Sequence, residues 1–289
     1  MLNALTIDVE DYYHVSAFEA VVPFADWERY ESRVKENTHR ILDLLDAHTT
    51  RATFFVLGWV VERHPGLIRT LVARGHEVAS HGYAHRRVYT QTPEQFRTET
   101  RRSKRLLEDT LGQLIRGYRA ASYSITMQSL WALDVLREEG FVYDSSIFPI
   151  RHDLYGIPSH PRFCYMIPGQ SGSPLVEFPL STLRLGGTNF PIAGGGYLRL
   201  FPYAYTRWGI RYLNRRERQP AVVYLHPWEL DPEQPRLSAG LLRGFRHYVN
   251  LRRTEERLRR LLTDFAFGTL SETLAAFAGE HAEVRRVAA

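Results

Sequence analysis

The chain has 289 residues, 44% of them hydrophobic and 24% charged, with a formal net charge of +5 at pH 7. This length and composition suffice for one large α/β domain or two small ones, and the charge indicates an anionic partner. A single cysteine, Cys164, excludes a disulfide framework or a thiolate metal site within one chain, so a metal ion would need His and carboxylate ligands. No apolar run is long enough to span a bilayer. The first residues run directly into a strand pattern instead of a signal peptide, which predicts a cytoplasmic location.

The first half of the chain alternates strand and helix patterns. Short apolar runs predict strands at residues 5–9, 52–57 and 75–80, and apolar residues at helical spacing predict helices at 37–47, 65–73 and 129–139. Thr92, Pro93 and Gln95 form an N-terminal capping pattern for a further helix, which ends near residue 110, before Gly112. Strands that alternate with helices predict a parallel sheet, open or closed.

The second half is less regular, and residues 150–200 are rich in Pro and Gly. The triplet at 194–196 lacks a phosphate-loop Lys-Ser/Thr pair and is interpreted as a turn, whereas residues 221–225 predict a late strand. Many arginines follow, alternating with leucines at helical spacing: Arg243, Arg246, Arg252, Arg253, Arg257, Arg259 and Arg260. We interpret them as the solvated face of a packed helix, with contact to a phospholipid surface as the alternative. No nucleic-acid motif accompanies the charge, so no nucleic-acid partner is expected.

His81 and His85 lie four residues apart, and an acidic cluster occupies residues 8–11. Two imidazoles and one carboxylate from a distant strand can hold one metal ion and leave a position open for water or substrate. Histidines at this spacing also occur on helix surfaces or as loop caps, and the sequence lacks the glutamate of an HExxH motif. The position favours a metal site, because His81 follows a predicted strand, and α/β barrels place their chemistry at the carboxyl ends of strands.

Five segments, in order, resemble the motifs of the polysaccharide deacetylases of carbohydrate esterase family 4, which share the NodB-homology domain; they are residues 6–11, 80–85, 119–123, 143–146 and 225–226. The resemblance is strongest to the branch found with bacterial exosortase and exopolysaccharide systems. It implies a distorted (β/α)7-type barrel with an irregular C-terminal elaboration. The whole chain, 1–289, would form one domain, with a family-specific region from about 150 to 280 that includes the strand at 221–226.

The resemblance also implies roles for individual residues. Asp8 matches the catalytic base, Arg119 the arginine that pairs with the base, and His226 the general acid. Asp144 is a plausible partner that orients His226 and raises its pKa, although it could simply cap a turn before Ser145 and Ser146. Ala121 stands where the family has proline, so that loop loses a fixed φ.

For the metal, the resemblance implies His81 and His85 as ligands together with one acidic residue. Strand periodicity places Asp8 and Glu10 on one face, which favours Glu10, whereas Asp11 would take the position if the strand ended at residue 9. The expected cofactor is a divalent metal, Zn2+ in the first place, with Co2+ as the alternative. Backbone N–H groups near Ser122 or Tyr123 would be the oxyanion donors.

These roles describe metal-assisted hydrolysis of N-acetyl groups on aminosugars in a bacterial exopolysaccharide or its lipid-linked precursor. One alternative is an allantoinase-like hydrolase of a small cyclic amide, and another is a catalytically silent, glycan-binding barrel. A lipid-linked substrate would bring the protein to the inner membrane surface, where Arg252, Arg253, Arg257 and Arg260 could meet anionic lipid. The oligomeric state is left open by the sequence.

Overall fold

The protein is built on short β-strands, and five of the eleven that the structure describes adjoin one of the five motif segments. This computed structural model describes residues 1–168, 174–192 and 194–280. Its strands are β1 (Asn3–Val9), β2 (Thr53–Val56), β3 (Glu77–Ser80), β4 (Gly117–Tyr118), β5 (Tyr143–Asp144), β6 (Tyr165–Ile167), β7 (Leu175–Glu177), β8 (Thr182–Leu185), β9 (Thr188–Pro191), β10 (Val222–Leu225) and β11 (Phe267–Gly268).

Most of these strands form one curled sheet, in the order β10-β1-β2-β3-β4-β5-β7-β6, with β11 paired to the start of β1. All neighbours are parallel except β6 and β7. Strands β8 and β9 form a separate antiparallel hairpin. The sheet is therefore an open, distorted barrel, and the carboxyl ends of its parallel strands meet at one edge.

Helices cover the outside of the sheet and form much of the C-terminal region. They are α1 (Val34–Ala47), α2 (Gly58–Arg63), α3 (Pro65–Ala73), α4 (Pro93–Leu111), α5 (Trp131–Glu138), α6 (Gly195–Leu200), α7 (Tyr203–Tyr212), α8 (Leu241–Tyr248), α9 (Thr254–Asp264) and α10 (Leu270–Glu280). At the start of α4, Thr92 and Gln95 form a capping box, and the helix ends at Gly112 in the left-handed conformation. In the described part of the chain, no helix is both long and apolar enough to cross a membrane.

Side chains of β1 alternate between the helix layer and the barrel interior. Leu5, Ile7 and Val9 belong to the larger hydrophobic core, and Ala4 belongs to a second cluster inside the barrel. Asp8 lies on the same face of β1 as Ala4, because side chains two residues apart share a face. The pattern thus places Asp8 at the end of the barrel interior.

The structure confirms the α/β class and most of the elements predicted from the sequence. The predicted strands correspond to β1, β2, β3 and β10, and the predicted helices correspond to α1, α3, α4 and α5. The glycine triplet is not a simple turn, because α6 begins at Gly195. Strands β4 and β5 contain two residues each, too few to give a periodic pattern.

The arginines at residues 252–260 are exposed, as the solvated-face interpretation expects, with the exception of Arg257. Arg257 is buried and donates to the backbone oxygens of Leu198 and Arg199. Other arginines of this segment lie near glutamates, in the pairs Arg252–Glu233, Arg259–Glu255 and Arg260–Glu256. These contacts correct the expectation that Arg257 faces anionic lipid, and they neutralise part of the remaining charge.

Two glycine substitutions test the packing between β4 and β5. A Cβ at Gly117 would overlap the Tyr143 ring, whereas a Cβ at Gly66 in α3 would have no neighbour within 4 Å. We expect Gly117→Ala to lower the free energy of unfolding by about 1–3 kcal/mol or more, because a buried ring must move. Gly66→Ala should raise it by about 0.4–1 kcal/mol, through the entropy of the unfolded chain. Urea unfolding measures both, and equal effects of the two changes would contradict this packing.

Candidate active site

Three potential metal ligands converge at the carboxyl edge of the sheet. Glu10 follows β1, and His81 follows β3 in a loop that continues to His85. The loop turns back on itself because Gly82 and His85 both adopt positive φ angles, 74° and 51°. One ligand atom from each of Glu10, His81 and His85 lies within 4.8 Å of the others. The backbone thus gathers two imidazoles and a carboxylate from separate strands at one point.

The chemistry of this group fits a divalent cation. The Nδ1 atom of His81 lies 2.8 Å from the backbone oxygen of Arg119, which favours a proton on Nδ1 and leaves Nε2 free as a ligand. Burial lowers the pKa of His81 to about 4, so the ring is neutral, as a metal ligand must be. Oε2 of Glu10 is buried without a hydrogen bond, although it lies 2.9 Å from Nε2 of His85. A buried carboxylate oxygen without a hydrogen bond fits a cation better than a closed polar network.

Glu10 is ionised despite its burial. Burial alone would raise the pKa of its carboxyl, but the neighbouring His85, His226 and His81 hold that pKa below its usual range. The charged form of this carboxylate is the form that can bind a metal ion.

Asp11 lies outside the metal group and has a different task. Its Oδ2 accepts hydrogen bonds from the Ser32 hydroxyl at 2.8 Å and from the N–H groups of Arg33 and Val34 at 2.9 and 3.1 Å. It therefore caps the start of α1, where unpaired N–H groups attract a carboxylate. The strand does end at Val9, the condition under which Asp11 was a candidate ligand, but the carboxylate is committed to this cap. The structure thus corrects the alternative and favours Glu10.

Asp8 lies beside the metal group and is held by Arg119. One oxygen of Asp8 accepts from Nη1 of Arg119 at 2.7 Å, and the other accepts from the Tyr123 hydroxyl at 3.2 Å. The Arg119 guanidinium is fully buried and also donates to Thr6 and Ser145. Because the cation is fixed on several sides, it holds the Asp8 carboxylate in one orientation.

The loop that follows Arg119 adopts an unusual backbone conformation at the edge of the cleft. Ser122 and Tyr123 have φ angles of 51° and 52°, a region that non-glycine residues seldom occupy. The Tyr123 N–H donates to the backbone oxygen of Ala120 at 3.0 Å, so it is not free for a substrate. Of the two oxyanion donors considered above, Ser122 therefore remains the candidate.

His226 faces the metal group from β10 and is held from behind by Glu229. Its Nδ1 lies 2.6 Å from Oε1 of Glu229, and its Nε2 lies 3.3 Å from Oε1 of Glu10. Burial lowers the pKa of His226, but Glu10, Glu229 and Asp8 outweigh it and raise that pKa to about 9. Glu229 in turn accepts from Nε of the buried Arg199 at 2.5 Å. His226 is therefore held by a carboxylate–arginine pair, and the Glu229 carboxylate favours the protonated form of the ring.

This arrangement corrects the expectation that Asp144 orients His226. Asp144 is buried behind Arg119, accepts from the Ser146 hydroxyl at 2.5 Å and pairs with Glu177, its register partner on β7. Burial raises the pKa of Asp144 to about 6 and that of Glu177 well above its ordinary value. The two carboxyls thus share one proton and form a structural pair.

Glu229 and Arg199 are the site residues that the sequence analysis did not identify. Glu229 carries a local signal, because it follows His226 by three residues across Pro227, the spacing of a capping box. Arg199 carries none, since it lies in the irregular second half, 30 residues before its partner.

The three potential metal ligands, Asp8 and His226 line a cleft of about 820 Å³. Ser122 also lines it, and the C-terminal region supplies another wall, which includes Tyr155 and Tyr197. The hydroxyls of these two tyrosines lie 3.2 Å apart. Aromatic faces beside hydroxyl groups suit a ligand with both apolar and polar edges.

Comparisons with known proteins find deacetylases that are similar to part of the chain. Residues 22–140 match the family model "Polysaccharide deacetylase", and residues 145–275 match a "Domain of unknown function (DUF3473)". A chitooligosaccharide deacetylase of Bradyrhizobium sp. (strain ANU 289) is 36% identical over 99 residues, which cover 34% of this chain and 43% of that protein. A peptidoglycan deacetylase of Helicobacter pylori is 31% identical over 108 residues, which cover 37% of this chain and 36% of that protein. The matches thus span less than half the length of these relatives.

Solved structures confirm the fold. One from Mycobacterium smegmatis, assigned to the polysaccharide deacetylases, has a TM-score of 0.62 and 23% identity, and the match covers 98% of this chain and 90% of that one. Puue allantoinase has a TM-score of 0.63 and 16% identity, with 96% and 90% covered. The fold alone therefore does not separate these two activities. Residues 22–140 are similar to the polysaccharide deacetylases, and residues 145–275 are similar to the DUF3473 domain.

The Asp144–Glu177 pair makes stability depend on pH. Because burial raises both pKa values, the folded chain holds a proton that the unfolded chain releases at lower pH. The stability is full below the unfolded pKa values and is lost as pH rises through the folded ones. Glu177→Gln keeps an acceptor for the Ile147 N–H and supplies a neutral donor to Asp144.

We therefore expect Glu177→Gln to flatten the loss of stability between about pH 5 and 8 by on the order of 1–3 kcal/mol. Urea unfolding at several pH values measures this. Glu94→Gln, at the exposed start of α4, is the matched control and should leave the pH profile unchanged. An unaltered profile in Glu177→Gln would show that the pair does not share a proton.

Proposed function

We propose that the protein is a divalent-metal-dependent deacetylase that hydrolyses N-acetyl groups of aminosugars in a glycan. The observation that carries the proposal is one cleft in which three groups meet: the metal-ligand set, the arginine-held Asp8 and His226, which Glu229 holds. A base and an acid on two sides of a metal site are what amide hydrolysis needs. The similarity of residues 22–140 to the polysaccharide deacetylases supports an N-acetyl amide as the bond that is hydrolysed.

Each residue has a defined part in this reaction. A divalent ion held by Glu10, His81 and His85 would polarise the acetamide carbonyl and acidify a water molecule. Asp8 accepts the proton of the attacking water, while Arg119 keeps its carboxylate oriented. The N–H of Ser122 donates to the oxygen that becomes negative.

His226 completes the reaction as the general acid. In the protonated ring, the proton on Nε2 faces the centre, and Glu229 stabilises the charged ring from the other nitrogen. His226 donates that proton to the leaving amine, so that acetate and a free aminosugar are released. Asp144 takes no part in this scheme, because its carboxyl pairs with Glu177.

The expected ion is Zn2+, with Co2+ as the alternative. Two neutral imidazoles and one carboxylate form an open site with the borderline-soft ligands that zinc accepts, and three protein ligands are typical of catalytic zinc.

The substrate we propose is an N-acetylated aminosugar of a bacterial exopolysaccharide or its lipid-linked precursor. Support comes from the named activities of the relatives, which act on chitooligosaccharide and peptidoglycan, and from a cleft with aromatic walls. The rivals from the sequence analysis are the allantoinase-like hydrolase and the silent glycan-binding barrel.

Acetate release from N-acetylglucosamine oligomers tests the function. We expect the metal-reconstituted protein to release acetate, and Asp8→Asn to reduce the rate by about 100-fold or more, because general base catalysis typically supplies 100- to 10,000-fold. Asp134→Asn, on the exposed face of α5, is the matched control and should retain the full rate.

Assays of allantoin opening and of glycan binding, made alongside the acetate assay, separate the rivals. Opening of allantoin without acetate release would favour the cyclic-amide hydrolase and overturn the proposal. Glycan binding without turnover, with no difference between wild type and Asp8→Asn, would favour the silent barrel.

A second experiment tests the ligand set directly. Loss of a residue that only hydrogen-bonds to a metal ligand typically weakens metal binding by about 10- to 100-fold. Because Glu10 would be a ligand itself, we expect Glu10→Gln to weaken zinc binding by more than that. Asp11→Asn should bind zinc as the wild type does, because Asp11 caps α1 instead of facing the metal group. Metal analysis after dialysis against a competing chelator measures both. The opposite order of effects would identify Asp11 as the ligand.

A further inference from the structure

Helix α8 presents an exposed apolar face at the mouth of the cleft. Leu241, Leu242 and Phe245 are 96%, 63% and 57% exposed, and they lie on one side of the helix because Phe245 follows the two leucines by four and three residues. Phe245 lines the cleft, as do Leu154 and Leu200, which are also exposed. Large apolar side chains clustered at a cleft opening indicate an interaction surface.

The buried side of α8 is fixed, so this outward face is held in place. His247 is buried, stacks on Trp228 with ring centroids 4.1 Å apart, and lies 2.7 Å from Oε1 of Gln234. Arg199 donates to the backbone oxygens of His247 and Val249 at 2.7 and 3.0 Å. The helix therefore cannot turn its leucines inward without breaking contacts that also hold Glu229.

Arginines border the apolar face and indicate what covers it. Arg243 and Arg246 are exposed on the same helix. Arg243 has no ion pair among the described residues, and Arg246 has only a 3.5 Å contact with the exposed Asp153. Apolar side chains flanked by basic ones are typical of helices that lie in the surface of a bilayer with anionic lipid.

We propose that α8 docks the protein on an anionic lipid surface, with the cleft opening beside the membrane. Charge complementarity favours this occupant over a second copy of the chain. In a symmetric dimer through this face, the Arg243 and Arg246 side chains of both copies would be brought together, whereas anionic headgroups neutralise them. The proposal places lipid contact at α8 instead of at Arg252, Arg253, Arg257 and Arg260, because α8 also carries exposed apolar side chains.

Vesicle co-sedimentation tests the docking. We expect the full-length protein to bind vesicles of phosphatidylcholine and phosphatidylglycerol in equal parts, and to bind phosphatidylcholine vesicles much less. The double variant Leu241→Ser/Leu242→Ser should lose at least about tenfold in partition, because two leucines no longer enter the acyl boundary. Leu114→Ser, which replaces a leucine that is 80% exposed elsewhere, is the matched control and should bind as the wild type does.

The charge contribution has its own pair of variants. Arg243→Glu should weaken binding to the mixed vesicles, and Arg69→Glu, an exposed arginine on α3, should not. Absence of wild-type binding to the mixed vesicles, or binding unchanged in Leu241→Ser/Leu242→Ser, would overturn the proposal. Light scattering that shows a dimer for the wild type and a monomer for this double variant would also overturn the proposal, because the face would then bind a second copy of the chain.

The test is independent of the deacetylase proposal. Leu241 and Leu242 do not line the cleft, so the double variant should release acetate from soluble oligomers at the wild-type rate while it loses vesicle binding. If no variant releases acetate, the deacetylase proposal fails and the vesicle result still decides the docking.

Discussion

The fully buried guanidinium of Arg119 is the constraint on which the reaction centre depends. A charge without access to water is tolerated only if its donors are paired, and here they bind Thr6 and Asp8 on β1 and Ser145 after β5. Strands from opposite parts of the first half are thereby tied at their carboxyl ends. Removing one partner of such a buried pair typically costs about 3–5 kcal/mol, so the contact that orients Asp8 also stabilises the barrel edge.

In the second half of the chain, Arg199 is likewise a buried arginine whose donors are paired. Its buried guanidinium joins Glu229, which holds His226, to the backbone oxygens at the end of α8. The DUF3473 region therefore supplies both a wall of the cleft and the arginine behind the proposed general acid. Arg199 contacts both Glu229, which holds the proposed general acid, and the end of α8, so a displacement of α8 would shift the position of His226.

Local motifs predicted which side chains meet at the candidate site where each of those side chains directly follows a parallel strand. Glu10, His81 and His226 each follow a parallel strand, and the carboxyl ends of such strands meet at one edge whatever the details of packing. The roles that failed depend on distant partners. Asp11 is captured by N–H groups of α1, 22 residues later, and Asp144 by Glu177 on β7. Neither partner belongs to a motif, and β4 and β5 are too short for any period to show which way their side chains point.

The loop after Arg119 is ordered although Ala121 stands where the deacetylase motif that it resembles has proline. Ser122 and Tyr123 stand in the left-handed region, which costs about 1 kcal/mol or more for each residue. Hydrogen bonds replace the fixed ring: the Ser122 hydroxyl lies 2.7 Å from that of Ser16, and the Ala120 N–H donates to Ser146 at 2.8 Å. The strained conformation also directs the Tyr123 hydroxyl to Asp8. The contacts that stabilise the loop are thus partly the contacts that orient the proposed base, so alanine at this position is compatible with an ordered centre.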